Sequence, residues 1–365
     1  MLRSAAAFVL AAGLLESIGF AVREFVLPPK WSKVDKTDRM VPGFRGKIDY
    51  ADIVEGRGAR LGMLTVNSLG LRGPEPEADG ERHAGRLRVY CSGSSTTFGW
   101  GATEDGATYP AQLQMVLKEQ LSGMNVEVIN AGVPGNASHA ELRILREDLP
   151  KLKPDIVLLW SGWPDWSHYV QPEASAKIST KKSRGFAHFT ESIETLLDRT
   201  SIYRCATYAR DLVTPRPDPP SDEELSARPG LPSFRAEVLD EFSANLASMI
   251  ALCKQEGARP IVLGLATSLR KPPEELSPLA RRQSANRLHA LEAASRADLY
   301  KSIVDFDRAI QSTVEKSKAE FIAFSQLPDD PQLFIDGVHM SDKGYAALAN
   351  AVAPTVEKTA LALQK

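Results

Sequence analysis

The stretch LRVYCSGSSTTFGWG, Leu87 to Gly101, runs from a β-branched and aromatic segment into a loop of glycines and hydroxyl residues. A short apolar run that stops at a glycine reads as a buried strand, LRVYCSG (87–93). Working outward, the same rhythm recurs. TYPAQLQMVLKEQLS (108–122) has helical period, VEVINAG (126–132) is strand-like, HAELRILREDLPKL (139–152) is helical and DIVLLWSG (155–162) is strand-like. The rhythm breaks between about Pro164 and Pro232, where TPRPDPPSDEELSARPGLP is too rich in proline for regular structure and reads as a surface excursion. It resumes with a helix at AEVLDEFSANLASMIALCKQEG, a strand PIVLGLAT (260–267) and a helix around RRQSANRLHALEAASRA. A strand SIVDF and a final helix from about Ser341 complete the pattern. Strands separated by helices predict an α/β fold, a three-layer α/β/α sandwich on a central parallel sheet wound by right-handed crossovers. Reactive groups in such sheets collect beyond the carboxyl ends of the strands, so the loops after Gly93, Gly132 and Gly162 should converge.

The chain of 365 residues balances 44 Lys and Arg against 46 Asp and Glu, so no overall field favours nucleic acid or an anionic surface. Cys91, Cys205 and Cys253 are widely separated and form no zinc pattern; one disulfide is allowed but not required. Histidines and carboxylates show no clustered metal-ligand spacing, and no cofactor motif is present. The amino terminus is different in character. AAAFVLAAGLL, Ala5 to Leu15, follows one basic residue, Arg3, and the apolar segment from Ser4 to Val22 is long enough to span a bilayer, with Glu16 as its one carboxylate. Without a clear small-x-small cleavage site it reads as an uncleaved anchor over residues 1–27, with the body outside the cytoplasm. Residues 28–84, rich in Gly, Pro and charge, read as a stalk with a small β-rich lead-in that includes KIDYADIV and GMLTV, and 85–365 as the α/β domain with the insertion at about 164–232.

The loops at the strand ends are SGSSTTFG, NAGVPGNAS and SGWPDW, and a fourth segment, FIDGVHMSDKGY, precedes the last helix. A serine on the first tight turn could act as a nucleophile if a base took its proton. Asp336 and His339 stand three apart, a spacing at which the carboxylate can hold one imidazole nitrogen while the other faces substrate. Glycine turns after parallel strands supply backbone N–H groups for an oxyanion. At these residues the chain resembles the SGNH hydrolases, the GDSL-like esterases and acylhydrolases. Gly93-Ser94-Ser95-Thr96-Thr97-Phe98-Gly99 matches their G-D-S-x-T-x-G motif with Ser94 in place of Asp; NAGVPG matches the second motif, and Asp336 with His339 matches D-x-x-H. NSLGLRGPE further resembles the lead-in of membrane-anchored members. The resemblance implies an SGNH, flavodoxin-like fold with Ser95 as nucleophile, His339 as base and Asp336 as its orienting carboxylate. It also implies an oxyanion hole from the N–H groups of Ser95 and Gly135, with Gly132 the second choice. The family's third motif, G-x-N-D, is here Gly162-Trp163-Pro164-Asp165, and proline has no side-chain donor to replace the Asn.

A phosphate loop fails for want of the Lys-Ser/Thr after the second glycine, and a G-x-S-x-G elbow fails at Thr97. Trp160, inside a strand, is expected in the core, whereas Trp100, Trp163 and Trp166 are expected in loops, lining a pocket or stacking on a sugar. The expected function is hydrolysis of a small-molecule, glycan or lipid ester without cofactor or metal. A binding or assembly module that lost efficient chemistry, motivated by Pro164, and an acyltransferase on envelope glycans are the alternatives.

Overall fold

The computed structural model describes Ser17, residues 33–34, 38–49, 61–77, Arg82, 85–171, 219–289, Leu291, 294–323, Ser325 and 330–364. The chain divides into two compact units. The larger, residues 31–45, 49–171 and 219–365, carries everything discussed below; of the smaller, residues 1–30, 46–48 and 172–218, only Ser17 and 46–48 are described.

The larger unit is built on a five-stranded parallel sheet. Its strands are β1 (Arg86–Gly93), β2 (Asn125–Gly132), β3 (Ile156–Trp160), β4 (Arg259–Leu263) and β5 (Glu320–Ile322), in the spatial order 2-1-3-4-5. β1 and β2 run in register from Arg86↔Asn125 to Gly93↔Gly132, so both loops leave the sheet at one level. Strand residues are buried on both faces because helices cover both. Leu87, Val89 and Cys91 of β1 and Ile156, Leu158 and Trp160 of β3 face α2 (Tyr109–Gln120) and the carboxyl-terminal helix Asp342–Leu363. Tyr90, Val157 and Leu159 face α3 (Ser138–Leu152) and the later helices Ala236–Gln255 and Arg296–Ser317. In chain order, α1 is the single turn Ser95–Phe98, α4 is Trp163–Tyr169, α5 is Asp222–Ala227, α6 is Ala236–Gln255, α7 is Pro278–His289, α8 is Arg296–Ser317 and α9 is Asp342–Leu363.

The three-layer α/β/α expectation holds, with two local corrections. SIVDF (302–306) is not a strand but the middle of α8, where Leu299, Ile303, Phe306, Ile310 and Val314 repeat at three- and four-residue intervals on one buried face. A capping box of Ser295 and Asp298 starts that helix, and the fifth strand lies after it, at Glu320–Ile322. Within the proline-rich stretch, α5 forms because Ser221 and Glu224 make a second capping box just after Pro220.

Residues 61–77 belong to the packed unit, and GMLTV of the expected β-rich lead-in falls at the strand Leu61–Thr65. Leu64, Val66 and Leu71 are buried, and Arg72 bridges Asn130 in antiparallel fashion, covering part of the edge strand β2. Among the described residues no helix is long and apolar enough to cross a membrane; the apolar segment 4–22 lies, Ser17 apart, outside them.

Candidate active site

The sheet reverses its winding at β1, which lies between β2 and β3, and at such a switch point the strand order predicts a crevice at the strands' carboxyl ends. Ser95, the first residue of α1, stands there. Of the five hydroxyl residues between Ser92 and Thr97, Ser92, Ser94, Thr96 and Thr97 are buried and Ser95 is half-buried. Burial thus singles out one hydroxyl. α1 can sit so close to β2 only because residue 132 is glycine, since a Cβ there would collide with the backbone nitrogen of Phe98.

The loop before α9 carries the partners. Ser95 Oγ lies 2.8 Å from His339 Nε2, and His339 Nδ1 lies 2.8 Å from Asp336 Oδ2. Asp336 Oδ1 accepts the backbone N–H groups of Val338 at 3.0 Å and His339 at 2.7 Å. The turn between the two residues needs a left-handed residue, supplied by Gly337 at φ 87°. Its carbonyl is pinned by Thr267 Oγ1 at 2.6 Å and the Ser268 N–H at 3.2 Å, both from the loop after β4. Arg287 of α7 donates to Asp336 Oδ2 at 3.1 Å, the same oxygen that holds the imidazole. Burial pushes the Asp336 carboxyl upward, but the charges of His339 and Arg287 and the His339 hydrogen bonds outweigh it and hold the group well below the usual carboxylate range. No sequence pattern marked Arg287; it lies within the expected helix as one of several arginines.

The donor side of the site follows from the backbone. The Ser95 N–H, first in α1, has no acceptor within its own helix. Gly135 lies exposed at the tip of the loop after β2 with φ 74°, whereas the Gly132 N–H is already given to Asn130 Oδ1 at 3.1 Å. Pro164 is the second residue of α4, a first-turn position where a missing N–H costs the helix nothing. It places neither a side-chain nor a backbone donor beside the crevice.

Two crossed carboxyl–hydroxyl pairs tie the β3–α4 loop to the start of α3. Asp165 accepts from the Ser138 N–H at 2.9 Å and from Ser138 Oγ at 2.7 Å, and Ser161 Oγ donates to Glu141. Asn245 of α6 donates to Ser138 Oγ at 3.0 Å. Burial pushes the Asp165 carboxyl up against the hydrogen bonds from Ser138, and pushes Glu141 far above the ordinary range despite Ser161. Neither pair was legible in the sequence, because they join residues 20 and 27 positions apart on different elements.

The tryptophans require a correction. Trp163 and Trp166 sit on α4, edge-to-face at 5.5 Å and buried in the core, with Trp166 Nε1 donating to Ser302 Oγ at 2.9 Å. Residues 163 and 166 lie one turn apart, and the face they share is the one α4 turns toward α6 and α8. Trp100 is also buried, tilted against Phe98 at 6.1 Å. Their rings do not offer an open face to a ligand. Trp160 packs edge-to-face on Tyr109 in the core, as expected. Among the described residues, no group of three or more His, Cys, Asp or Glu is placed to hold a metal ion. Cys91 and Cys253 are buried free thiols, each pushed up to about 12 by burial, and Cys205 lies outside the described residues.

The profile of the GDSL-like Lipase/Acylhydrolase family matches residues 91–347, a span that contains Ser95, Gly135, Asp336 and His339. Similar solved structures include a GDSL-like lipase from Bacteroides thetaiotaomicron, 17% identical over 74% of this chain and 88% of its own, with a TM-score of 0.39. A psychrotrophic esterase from a Pseudoalteromonas species, solved with monoethylphosphonate as inhibitor, is 13% identical over 74% of this chain and 97% of its own, at 0.41. A mutant acetyl-xylooligosaccharide esterase from a Geobacillus species is 16% identical over 74% of this chain and 94% of its own, at 0.42. No curated protein sequence matches the chain.

Proposed function

Because the chain belongs to the GDSL-like lipase/acylhydrolase family, we propose that it is a serine ester hydrolase in which Ser95, His339 and Asp336 form the catalytic triad. The observation that carries this reading is the unbroken relay from Ser95 Oγ through both imidazole nitrogens to Asp336, with both steps at 2.8 Å. His339 Nε2 takes the Ser95 proton as Oγ attacks the ester carbonyl, and Asp336 holds Nδ1–H and stabilises the imidazolium that forms. The tetrahedral oxyanion is received by the N–H groups of Ser95 and Gly135. Collapse expels the alcohol, protonated by His339, and leaves an acyl-Ser95 ester. Water, deprotonated by the same histidine, then releases the acid and returns the proton to Ser95.

Pro164 supports a second reading, a binding or assembly module that keeps the fold without efficient chemistry. Losing one oxyanion donor lowers turnover by about two to three orders of magnitude in other hydrolases, and it does so whether the acyl group passes to water or to an acceptor alcohol, the transfer that forms a third reading. A glycan or lipid ester is the proposed substrate class. The apolar run from Ser4 to Val22 supports a membrane tether, with the catalytic unit on the extracytoplasmic side.

The test is turnover of p-nitrophenyl esters of rising acyl length, with labelling by a fluorophosphonate. Ser95→Ala is expected to abolish labelling and to lower turnover by at least about three orders of magnitude. Turnover in Ser95→Ala equal to that of the native chain removes the triad reading. Native protein that is folded yet neither turns over esters nor labels would instead identify a binding module. Added sugar or glycerol acceptors separate the transferase reading, since acylated acceptor accumulates only if transfer occurs.

A further inference from the structure

The segment before the family-matched region reaches into the nucleophile's own helix. α1 is a single turn, too short to hold its geometry unaided, and its last carbonyls need donors from elsewhere. Arg72 reaches two carbonyls there, alongside the Ala102 N–H, which donates to Gly99 O at 3.0 Å. Arg72 Nη1 donates to Phe98 O at 3.0 Å and to Gly99 O at 2.9 Å, and Asn130 Nδ2 adds a bond to Phe98 O at 3.2 Å. The guanidinium is itself held on every side. Nε donates to Asp105 Oδ1 at 2.8 Å, Nη2 faces Met63 O at 3.4 Å, and its carbon lies 4.8 Å from the centre of the Phe98 ring. Asp105 Oδ2 in turn takes the Thr65 N–H at 2.9 Å. The Arg72 main chain is anchored by its N–H to Asn130 O at 3.2 Å, and the side chain is only 1% exposed.

We propose that Arg72 is a positioning residue for the nucleophile, clamping the carboxyl end of α1 so that Ser95 at its other end is held against His339. The inference rests on the reading of Ser95 as nucleophile. The route from clamp to hydroxyl is one turn long: Ser95 O accepts the N–H groups of Gly99 at 3.1 Å and Trp100 at 2.8 Å, so a shift at residues 98–99 is a shift at residue 95. The role calls for arginine in particular. One planar fork reaches two carbonyls, a carboxylate and an aromatic face at once, whereas a lysine ammonium cannot span them. A misplacement of about 1 Å at a reacting group can cost about 100-fold in rate.

The experiment compares the full chain with Arg72→Lys, Asp105→Asn and Ser95→Ala, measuring kcat, KM, fluorophosphonate labelling rate and Tm. Arg72→Lys is expected to lower kcat and labelling about 10- to 100-fold while KM stays within about twofold and Tm stays above the assay temperature. Asp105→Asn, which loosens the clamp without removing it, is expected to lower kcat about 3- to 10-fold with the same unchanged KM, and it serves where Arg72→Lys fails to fold. Native kcat in a folded Arg72→Lys or in Asp105→Asn overturns the proposal, as does a loss lying wholly in KM. If Ser95→Ala is inactive while Arg72→Lys turns over normally, the clamp alone fails. If Ser95→Ala keeps turnover, the nucleophile reading fails first.

Discussion

Glu141 and Asp336 are both buried carboxyls beside the crevice, and their surroundings drive them in opposite directions. Glu141 is desolvated with only Ser161 to offset it, so the folded chain keeps a proton that the unfolded chain releases above its ordinary value of 4.5. Its contribution to stability is intact below about that value and drains away as pH rises. Glu141→Gln keeps an acceptor for Ser161 without an ionisable group. The variant is expected to match the native chain in Tm at pH 4 and to exceed it at pH 8, at about 2–4 °C per kcal/mol for a unit of this size; a gap that does not grow with pH counts against a buried neutral Glu141. Asp336 has the opposite sign. Its carboxyl is depressed, so its stabilisation is present above the ordinary 3.8 and is lost only as pH falls from there through the lower folded-state value. Arg287→Gln removes one of the cations responsible and should cost about 1–3 kcal/mol at pH 7. Thermal unfolding should show that deficit holding from pH 7 down through the ordinary carboxylate range, since the folded Asp336 takes its proton only below it, and a deficit of the same size in an Asp336→Asn background would place Arg287 in packing, not in charge.

At the level of elements, the placement of Ser95, the proposed nucleophile, depends on how closely α1 approaches β2. Gly132→Ala puts a methyl group against the Phe98 backbone, where neither strand nor helix can yield easily. An overpacking cost of about 1–3 kcal/mol is expected, with turnover falling as α1 is displaced. Gly123→Ala, in the open turn before β2 with no atom within 4 Å of the added carbon, is the control and should change neither Tm nor turnover. These contacts also explain what the sequence could disclose. β1, β2, β3 and the helices between them were legible because each buries a continuous or periodic face of its own residues. SIVDF misled because Ile303, Val304 and Phe306 suit a strand as well as they suit α8; the decisive signal was the capping box at Ser295. Ser95, Asp336 and His339 were legible because each loop has a local pattern. Arg287, Arg72 and the Ser161–Glu141 pair were not, since their partners are set by tertiary packing and no local spacing records it. The tryptophans failed for a related reason: a loop residue and the first residue of a short helix differ only in what later packs against them.

On the scale of the whole molecule, the contacts that hold the proposed triad reach beyond the family-matched residues 91–347. Arg72 closes the end of α1, Asp105 and Thr65 hold Arg72, and the segment from Val66 to Arg72 shields part of the β2 edge. Arg39 adds a tie from further upstream, reaching Asp148 Oδ1 at 2.6 Å, where the Tyr90 hydroxyl also donates to Asp148 Oδ2 at 2.6 Å. A chain beginning at Gly85 would keep the proposed triad residues yet lose Arg39, Thr65 and Arg72, leaving Phe98 O and Gly99 O with one donor fewer each and an edge strand open to pairing with other chains. A chain beginning at Trp31 would keep them all and lose only the apolar segment. The two truncations therefore separate tethering from catalysis. The Trp31 chain is expected to stay monodisperse without detergent and to retain the full-length turnover of a soluble ester within about threefold, a margin of less than 1 kcal/mol. The Gly85 chain is expected to aggregate or to lose at least about 100-fold in kcat, by the same misplacement of Ser95 that Arg72→Lys imposes. Turnover and size-exclusion profiles measured side by side decide it, and a fully active, monomeric Gly85 chain would show that residues 91–347 position the nucleophile without help from the segment before them.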